Sequence, residues 1–484
     1  MNFIRDYYSH ADVRARMVEF LGGPSLDRAT CMFISGDTTS PEENFMPRHP
    51  RELWKCLDHG FDVSRSLWDR DSLIADIDIE YVNFDFPAEP YLDPERTFDL
   101  QQPVEEAVER VLLEWGVCPL HLISGRGHHF LWKIRRDSRA FSRLGEFGPA
   151  PDFMTGFYDK PHRPSGAHVE LDLAAAFGGL GMVIEYLAGR VREMAAPYSR
   201  VPIELTAVEV GPVDRGREII SIDVSEYGDP LNTRSVRIPF SVYMKPWHQR
   251  WLIGEDFVNR LPYMFLIPRH EMDIRESILT MRSAAKTIRL AGRASVDIPD
   301  GSAAMDRVID TYLASFVAEY HQWFYSQEHD PPELWPQTYD QAPLDTMPPC
   351  VRHLLVHPND LLVKPAGIQQ VVRVLLAAGW HPRHIAGLIR SKYERDYGWG
   401  YRWYEFSAGQ RADFYVRLFG GLIFAGQDDL LDFNCQSTKE KQFCFWFGHC
   451  CNLEQYRDLL LQRREDERLA GRVLDGLFLR DEHT

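Results

Sequence analysis

The sequence lacks several features that mark membrane and secreted proteins. No apolar run approaches the roughly 18 residues that a bilayer-spanning helix needs, and the N-terminal stretch MNFIRDYYSHADVRARMVEF has no apolar leader region. Cysteine is sparse before residue 350, where Cys31, Cys56 and Cys118 stand singly. Isolated thiols of this kind are typical of buried side chains. We therefore expect a soluble, cytoplasmic protein.

The chain also lacks an overall positive charge, since 71 acidic residues outnumber 54 basic ones and give a net charge of −17. This balance argues against a uniformly basic nucleic-acid-binding protein, although local basic surfaces remain compatible with it. Residues 351–420 contain ten Lys and Arg against five Asp and Glu. Contact with a polyanion is therefore expected in that region rather than in the acidic first hundred residues.

Internal repeats and long low-complexity segments are absent from the sequence, and 484 residues suffice for two or three domains. Strand-like runs separated by helical ones predict an α+β domain over residues 1–245. Residues 246–325 read as a helical bridge. Residues 326–349 contain six prolines and predict a linker. The remainder, residues 350–484, predicts a mostly α-helical domain.

The segment SLIADIDIEYVNFDF, residues 72–86, alternates as a β-strand does. Ile77 and Ile79 fall on one face, and Asp76, Asp78 and Glu80 fall on the other. Carboxylates in such a row repel one another unless a divalent cation lies between them, because hard cations take carboxylate oxygens as ligands. The alternative is a solvated edge strand whose acids discourage aggregation.

The segment LISGRGHHFLWKI, residues 122–134, predicts a hairpin with a glycine-rich turn. Two glycines expose backbone N–H groups there, and Ser124, Arg126 and His129 supply further donors of the kind that bind phosphate. A turn without any function is the alternative.

A third segment begins with an apolar strand that ends at Asp223 and continues to Arg234, Arg237 and Lys245. A carboxylate at the end of a buried strand is costly without a partner, and a metal ion would supply one. The three cations suit a triphosphate. Ordinary Asp–Arg ion pairs within the fold are the alternative.

In this order the three segments resemble the motifs of the archaeo-eukaryotic primase superfamily, the primase-polymerases, whose catalytic core is an RRM-like α+β fold. The downstream stretch RSVRIPFSVYMK is similar to the corresponding stretch of primase small subunits, and the residues that match it are Arg234, Arg237, Pro239, Ser241 and Lys245. Phe240, Tyr243 and Met244 depart from that pattern, standing where Gly, His and Gly are usual. The histidine motif is one residue shorter than in the small subunits, and we choose His129 over His128 as its histidine.

The resemblance implies that Asp76, Asp78 and Asp223 hold two Mg²⁺ or Mn²⁺ ions for attack by a primer 3′-OH or by an initiating nucleotide. It also implies a binding set for the triphosphate of an NTP or dNTP, which comprises Ser124, Arg126, His129, Arg234, Arg237 and Lys245. The implied function is that of a DNA primase-polymerase, a nucleotidyltransferase that synthesises or extends primers on single-stranded DNA.

Two other functions remain open at this point. A two-metal nuclease also uses paired acids with a nearby histidine, and a non-catalytic nucleic-acid-binding scaffold could keep the same fold. The His-x-Glu and Pro-Cys-x-x-Cys signature of nucleobase deaminases is missing from the sequence.

Five of the eight cysteines lie in the last third of the chain: Cys350, Cys435, Cys444, Cys450 and Cys451. In a reducing compartment such clustering favours a metal or iron–sulfur site over disulfides. The opening MPPCVRHLL and the helical hairpin after it resemble the C-terminal domain of the primase large subunit, which holds a [4Fe–4S] cluster. The resemblance implies four ligands, namely Cys350, Cys435, Cys444 and Cys450, where we choose Cys450 over its neighbour Cys451. Zinc is the alternative, with His449 or His353 able to replace one thiolate.

Aromatic and basic residues interleave in the same region, an arrangement that suits stacking of single-stranded bases and contacts with their phosphates. The residues concerned are Lys392, Tyr393, Arg395, Tyr397, Trp399, Tyr401, Arg402, Trp403, Tyr404 and Arg411. Helix-packing aromatics on a solvated basic face are the alternative. With the resemblance, the pattern implies binding of template or initiating nucleotide, and a replicative helicase or other replication or defence proteins become candidate partners.

Overall fold

The structure is a computed structural model, and it describes residues 2–36, 46–148, 169–206, 216–231, 234–359, 361–362, 364–395, 408–445 and 452–469. The described residues up to 226, together with 231–309, form one compact unit, and 227–230 with the residues after 309 form a second. This division does not coincide with the predicted boundaries at 245, 325 and 349. Residues 246–309 belong to the first unit, and the proline-rich segment belongs to the second.

The strands of the described chain all lie in the first unit. They are β1 (Cys31–Gly36), β2 (Met46–Arg48), β3 (Asp62–Asp69), β4 (Ser72–Asn83), β5 (Leu120–Ile123), β6 (Gly127–Arg135), β7 (Ile203–Leu205), β8 (Glu218–Asp223), β9 (Ser235–Arg237) and β10 (Ile267–Pro268). They form one sheet in the order β10-β5-β6-β4-β3-β1-β2, with β8 also paired to β4, β7 to β8 and β9 to β3. The β7–β8 pair is parallel, and the other pairs are antiparallel.

Helices flank the sheet in the first unit. They are α1 (Asn2–Ser9), α2 (Ala11–Phe20), α3 (Leu53–Asp58), α4 (Glu89–Leu92), α5 (Pro94–Trp115), α6 (Arg139–Phe147), α7 (Leu171–Ala195), α8 (Lys245–His248), α9 (Arg250–Ile253), α10 (Glu255–Val258), α11 (Ile274–Met281), α12 (Ala284–Ala291) and α13 (Ser302–Leu313), the last of which extends into the second unit. The mixed α+β class predicted from the sequence is confirmed.

Strand β4 is the centre of this unit. It pairs with β6 along one edge, and its second half pairs with β8 along the other. Helices α5 and α7 pack against it. Helix α5 begins with proline at its first position, where no N–H partner is needed, and it presents Val104, Val108 and Val111 to the core at helical spacing. Apart from α6 and β7, the chain order here is β4-α5-β5-β6-α7-β8, and the spatial order of these strands is β5-β6-β4-β8.

Helix α7 contradicts the expectation that no apolar segment is long enough to span a bilayer. With the turn that follows it, residues 171–198 form a helix long and apolar enough to cross a membrane by length and composition alone. Within the fold, 78% of its most apolar window is buried. Burial of this extent is what the core helix of a soluble protein shows, and it is compatible with the expected solubility.

The second unit is helical in its described part. Its helices are α14 (Phe316–Phe324), α15 (Pro349–Val356), α16 (Pro365–Ala377), α17 (Pro382–Tyr393), α18 (Ala408–Phe424), α19 (Cys435–Glu440) and α20 (Leu453–Leu469). The helical hairpin and the charged last helix predicted from the sequence correspond to α16, α17 and α20.

A buried ion-pair network lies within this second unit. The fully buried Arg373 donates to both oxygens of Asp428, at 2.6 and 3.1 Å, and to Asp432 at 2.8 Å. Lys441 pairs with Asp432, and Arg464 pairs with Asp428 at 2.9 Å. Burial opposes ionisation of the two carboxyls, but the cations, Arg373 first, hold the pKa of both below its usual range.

Candidate active site

Strands β4 and β8 bring the predicted acids together on one face of the sheet, and β6 adds His129. Asp76, Asp78 and Glu80 alternate along β4 with the buried Ile77 and Ile79. Asp78 lies directly opposite Asp223 of β8 in the antiparallel ladder. On the other edge of β4, Asp78 lies directly opposite His129 of β6. Residues that are up to 147 positions apart in the sequence therefore become neighbours through strand register alone.

His129 joins the acids as a cation. Its Nδ1 donates to Asp76 Oδ2 at 3.1 Å and lies 3.7 Å from Asp78 Oδ1. Burial alone would lower the pKa of His129, but Asp78 and Asp76 outweigh it and raise that pKa to about 9. The ring is therefore protonated at neutral pH. His128, the alternative considered from the sequence, lies on the opposite face because successive residues of a strand alternate.

Asp78 is held in an environment that disfavours its charge. Burial raises its pKa well above the usual range, and Glu80, Asp76 and Asp223 add to the effect while His129 opposes it. Its Oδ1 is buried without a hydrogen-bond partner, and the neighbouring Asp76 is only 1% exposed. A divalent cation would compensate this charge, and carboxylate oxygens are the ligands that Mg²⁺ and Mn²⁺ prefer.

Glu226 is a further acid of this cluster that the sequence reading did not single out. The chain turns after β8 through a 3₁₀ segment, Ser225–Gly228, which begins where Asp223 Oδ1 accepts from Ser225 N at 2.9 Å. Glu226 Oε1 is buried without a hydrogen-bond partner. Burial, followed by Asp76, Asp78 and Asp223, raises its pKa well above the usual range. The only signal in the sequence was its position three residues after Asp223.

Glu80 separates the acidic part of the site from a basic part. Lys245 Nζ lies 2.7 Å from Glu80 Oε1, and the Arg126 guanidinium contacts Oε2. Burial opposes ionisation of Glu80, but Arg126 and Lys245 outweigh it and hold the pKa below its usual range. Two of the cations predicted to bind triphosphate thus lie next to the acids, and both are paired with one carboxylate.

The other predicted phosphate ligands have distinct surroundings. Arg237 pairs with the buried Asp62 and lies over the ring of Tyr243 at 4.9 Å. Arg234 donates to the carbonyl of Ser225 at 3.4 Å, which keeps it close to the acidic turn. Arg237 therefore has a structural partner within the fold, as the ion-pair alternative anticipated, whereas Arg234 remains beside the cluster.

The β5–β6 turn is shaped by close contacts more than by exposed N–H groups. Ser124 Oγ accepts from Gly127 N at 3.1 Å and donates to Gly127 O at 3.3 Å, so its hydroxyl closes the turn. A Cβ at Gly127 would lie 1.8 Å from the carbonyl oxygen of Ile79, and a Cβ at Gly125 would lie 2.7 Å from the ring of Tyr243. Both glycines are therefore required by the approach of other chain segments.

The spacing of the acids differs from that of a compact single-ion site. Within the described ranges, one group of three potential metal ligands is compact, with one ligand atom of each residue within 4.8 Å of those of the other two. It consists of Glu105, His121 and His128. The three aspartates do not meet this distance. Their wider separation is compatible with ligands shared between two ions.

The predicted cysteine site is described only in part. Cys350 of α15 and Cys444 line one cavity of about 230 Å³ together with His353 and His357. Cys435 does not line this cavity, and Cys450, Cys451 and His449 lie outside the described residues. In the part of the chain that the structure describes, no three cysteines converge. The iron–sulfur cluster and its zinc alternative stay predictions.

Only some of the predicted aromatic and basic residues near the cysteines are described. Lys392 and Arg395 pair with Asp340, Arg411 pairs with Asp229 at 2.5 Å, and Tyr393 is buried. All four residues thus have contacts within their own unit. The remaining six, Tyr397, Trp399, Tyr401, Arg402, Trp403 and Tyr404, lie outside the described residues.

Comparison with models of known protein families, with curated proteins and with solved structures finds no match to this chain.

Proposed function

We propose that this protein is a primase-polymerase that transfers nucleotides from NTP or dNTP onto a growing chain templated by single-stranded DNA. The observation that carries the proposal is the register of β4. It sets Asp78 opposite Asp223 and opposite His129, with Asp76 one strand repeat away. Acids held together against their own repulsion are what a site for divalent cations requires.

The order of the secondary structure supports an RRM-like core. Apart from α6 and β7, the chain order β4-α5-β5-β6-α7-β8 and the antiparallel spatial order β5-β6-β4-β8 correspond to the β-α-β-β-α-β motif with its split crossovers. The acids lie on the face opposite to α5. A template and a nucleotide would be accommodated on that face.

The residues divide into two roles. Asp76, Asp78 and Asp223 would hold the cations. The closeness of these like-charged carboxylates, and the buried Oδ1 of Asp78, fit this role. Mg²⁺ or Mn²⁺ bound there would lower the pKa of the attacking hydroxyl and stabilise charge on the phosphate groups. Glu226 lies close enough to these acids to raise the negative potential of the same site.

The basic part of the site would bind the triphosphate. Arg126 and Lys245 are held side by side by Glu80, and the nucleotide phosphates would replace that carboxylate as their partner. His129, protonated below about pH 9, and Arg234 add positive charge at the boundary with the acids. We assign Arg237 and Ser124 to positioning of strands β3 and β6 instead of direct phosphate contact.

The second unit would contribute to template handling. The proposal keeps a [4Fe–4S] cluster, or zinc, on Cys350, Cys435, Cys444 and Cys450. Its support is limited to the cavity that Cys350 and Cys444 share. An absorbance spectrum of anaerobically purified protein, combined with iron, sulfide and zinc analysis, distinguishes the two metals.

The test is primer synthesis on single-stranded DNA with Mn²⁺ or Mg²⁺ and all nucleotides. We expect product and pyrophosphate from the wild type, and neither from the Asp76→Ala, Asp78→Ala double variant. The matched control is Asp71→Ala, an exposed acid just before β4. Strand cleavage without triphosphate would identify a nuclease instead, and DNA binding without either reaction would identify a scaffold.

A further inference from the structure

A second polar cluster lies on the other face of the same sheet. It comprises Glu105 of α5, His121 of β5 and His128 of β6, and one ligand atom of each lies within 4.8 Å of the others. His128 is fully buried, and its ring contacts the edge of Phe98 in α5. The cluster is therefore enclosed between the helix and the β5–β6 hairpin, away from the aspartates.

The two histidines are arranged as paired ligands. His121 Nε2 and His128 Nδ1 lie 2.9 Å apart, so that only one proton fits between two nitrogens that can each offer a lone pair. A zinc ion binds imidazole nitrogen at roughly 2.0–2.1 Å and takes only one nitrogen of each ring. The ring of His128 must therefore turn out of its contact with His121 to present one nitrogen to an ion shared with His121 and Glu105. Burial also lowers the pKa of both rings, which favours the neutral form that metals bind.

Glu105 completes the set with a carboxylate. Its Oε2 lies 3.9 Å from His128 Nε2, a buried nitrogen without a hydrogen-bond partner, and its Oε1 contacts Arg269. A buried nitrogen without a hydrogen-bond partner, such as His128 Nε2, is costly inside a core, and a metal ion bound there would be stabilising.

The surrounding groups match those that support metal ligands. Glu109 Oε1 lies 3.7 Å from His121 Nδ1, on the side of the ring that faces away from His128. A carboxylate there can accept the second ring proton and orient the ligand nitrogen. Arg269 lies 3.5 Å from Glu109 as well as against Glu105. One Arg and two Glu leave a net negative charge to face a divalent cation.

We propose that Glu105, His121 and His128 form a transition-metal site, with Zn²⁺ as the preferred ion. Two imidazoles and one carboxylate favour zinc over magnesium because imidazole is a poor ligand for hard cations. The metal would tie α5 to the hairpin that carries Ser124, Arg126 and His129. This site is independent of the proposed polymerase activity.

Cobalt(II) substitution tests the site in the full-length protein. After removal of metals by a chelator, the protein is titrated with Co²⁺ in the presence of excess Mg²⁺, which occupies carboxylate-only sites. Because the cysteines of the second unit can also bind Co²⁺, the wild-type spectrum is compared with that of His121→Gln. We expect the difference between the two spectra to be a weak visible band typical of nitrogen and oxygen ligands, without the intense near-ultraviolet absorption that thiolates add. A difference spectrum that lacks this weak band would overturn the proposal.

Variants locate the ligands. We expect His121→Gln to bind one zinc fewer per chain, or to bind it about 100-fold more weakly, and Glu109→Gln to weaken binding about 10-fold through loss of ring orientation. His59→Gln replaces an exposed histidine of the same unit and should leave zinc binding unchanged. Circular dichroism verifies folding. Unaltered zinc stoichiometry and affinity in a folded His121→Gln protein would contradict the assignment.

Discussion

Two clusters of buried carboxylates in this chain are built in opposite ways. Around Arg373, Asp428 and Asp432 each contact fixed cations, and their pKa values are lowered. Around Asp78 the neighbours are mainly other acids, with His129 as the cation, and the pKa is raised. The first arrangement supports the fold. The second opposes it, and an arrangement that opposes folding is retained when a ligand compensates it.

The largest effect expected from a test of this contrast is a loss of nucleotide incorporation. Asp78→Asn should reduce nucleotide incorporation on the order of 10²- to 10³-fold, since it removes charge needed in the transition state. The same change removes carboxylate repulsion, so the free energy of unfolding should rise by roughly 1 kcal/mol. Incorporation assays and urea unfolding measure the two effects. Loss of both activity and stability would mean that Asp78 supports the fold.

The matching change in the other cluster should act on stability. Asp428→Asn leaves Arg373 without part of its buried partner and should lower the free energy of unfolding by about 3–5 kcal/mol. Asp458→Asn, at an exposed ion pair of α20, is the control and should stay within about 0.5 kcal/mol. Equal effects of the two substitutions would abolish the distinction between the clusters.

The pH dependence of stability distinguishes the clusters further. Because the pKa of His129 is raised from its ordinary value to about 9, its contribution is complete below about pH 6.5 and is lost as pH rises through 9. With a chelator present, the wild type should lose roughly 1–3 kcal/mol more than His129→Gln between these limits. Denaturant unfolding at several pH values measures this difference, and parallel curves for both proteins would refute it.

The smallest expected effect concerns Glu80, which in its surroundings resembles the Arg373 cluster because two cations lower its pKa. Glu80→Gln removes the carboxylate that competes with triphosphate for Arg126 and Lys245. We expect the Kd for nucleotide to fall about threefold, the scale of a partly exposed ion pair. Fluorescence titration with a labelled triphosphate measures it. Weaker binding would show that Glu80 mainly positions the cations.

The parts of the site that could be predicted are those set by local pattern. Alternation along β4 assigns Asp76 and Asp78 to one face, and the same rule separates His129 from His128. The order of motifs along the chain also indicated that Asp223 belongs with them. Each of these inferences needs only the neighbours in sequence or a resemblance between short segments.

The parts that were missed depend on long-range geometry. Glu226 joins the acids only because a 3₁₀ turn follows β8, and no periodicity announces such a turn. Arg237 pairs with Asp62, which is 175 residues away in the sequence, and the residues next to Arg237 do not predict this pair. The proline-rich segment predicted a linker by composition, and in the structure its residues are grouped with the second unit. The amino-acid composition of a segment indicates its preference for solvent, but its contacts with other residues decide whether it belongs to a compact unit.

Gly127 carries a consequence for how this protein tolerates substitution. Even one added methyl group there would collide with the main chain of Ile79 and act as a wedge between two strands. The displacement would shift His129 on one face of the sheet and the buried His128 on the other, because both residues follow Gly127 directly in β6. A residue without a side chain thereby governs the spacing of two chemically unrelated centres, and alanine at this position should be among the most damaging replacements in the chain.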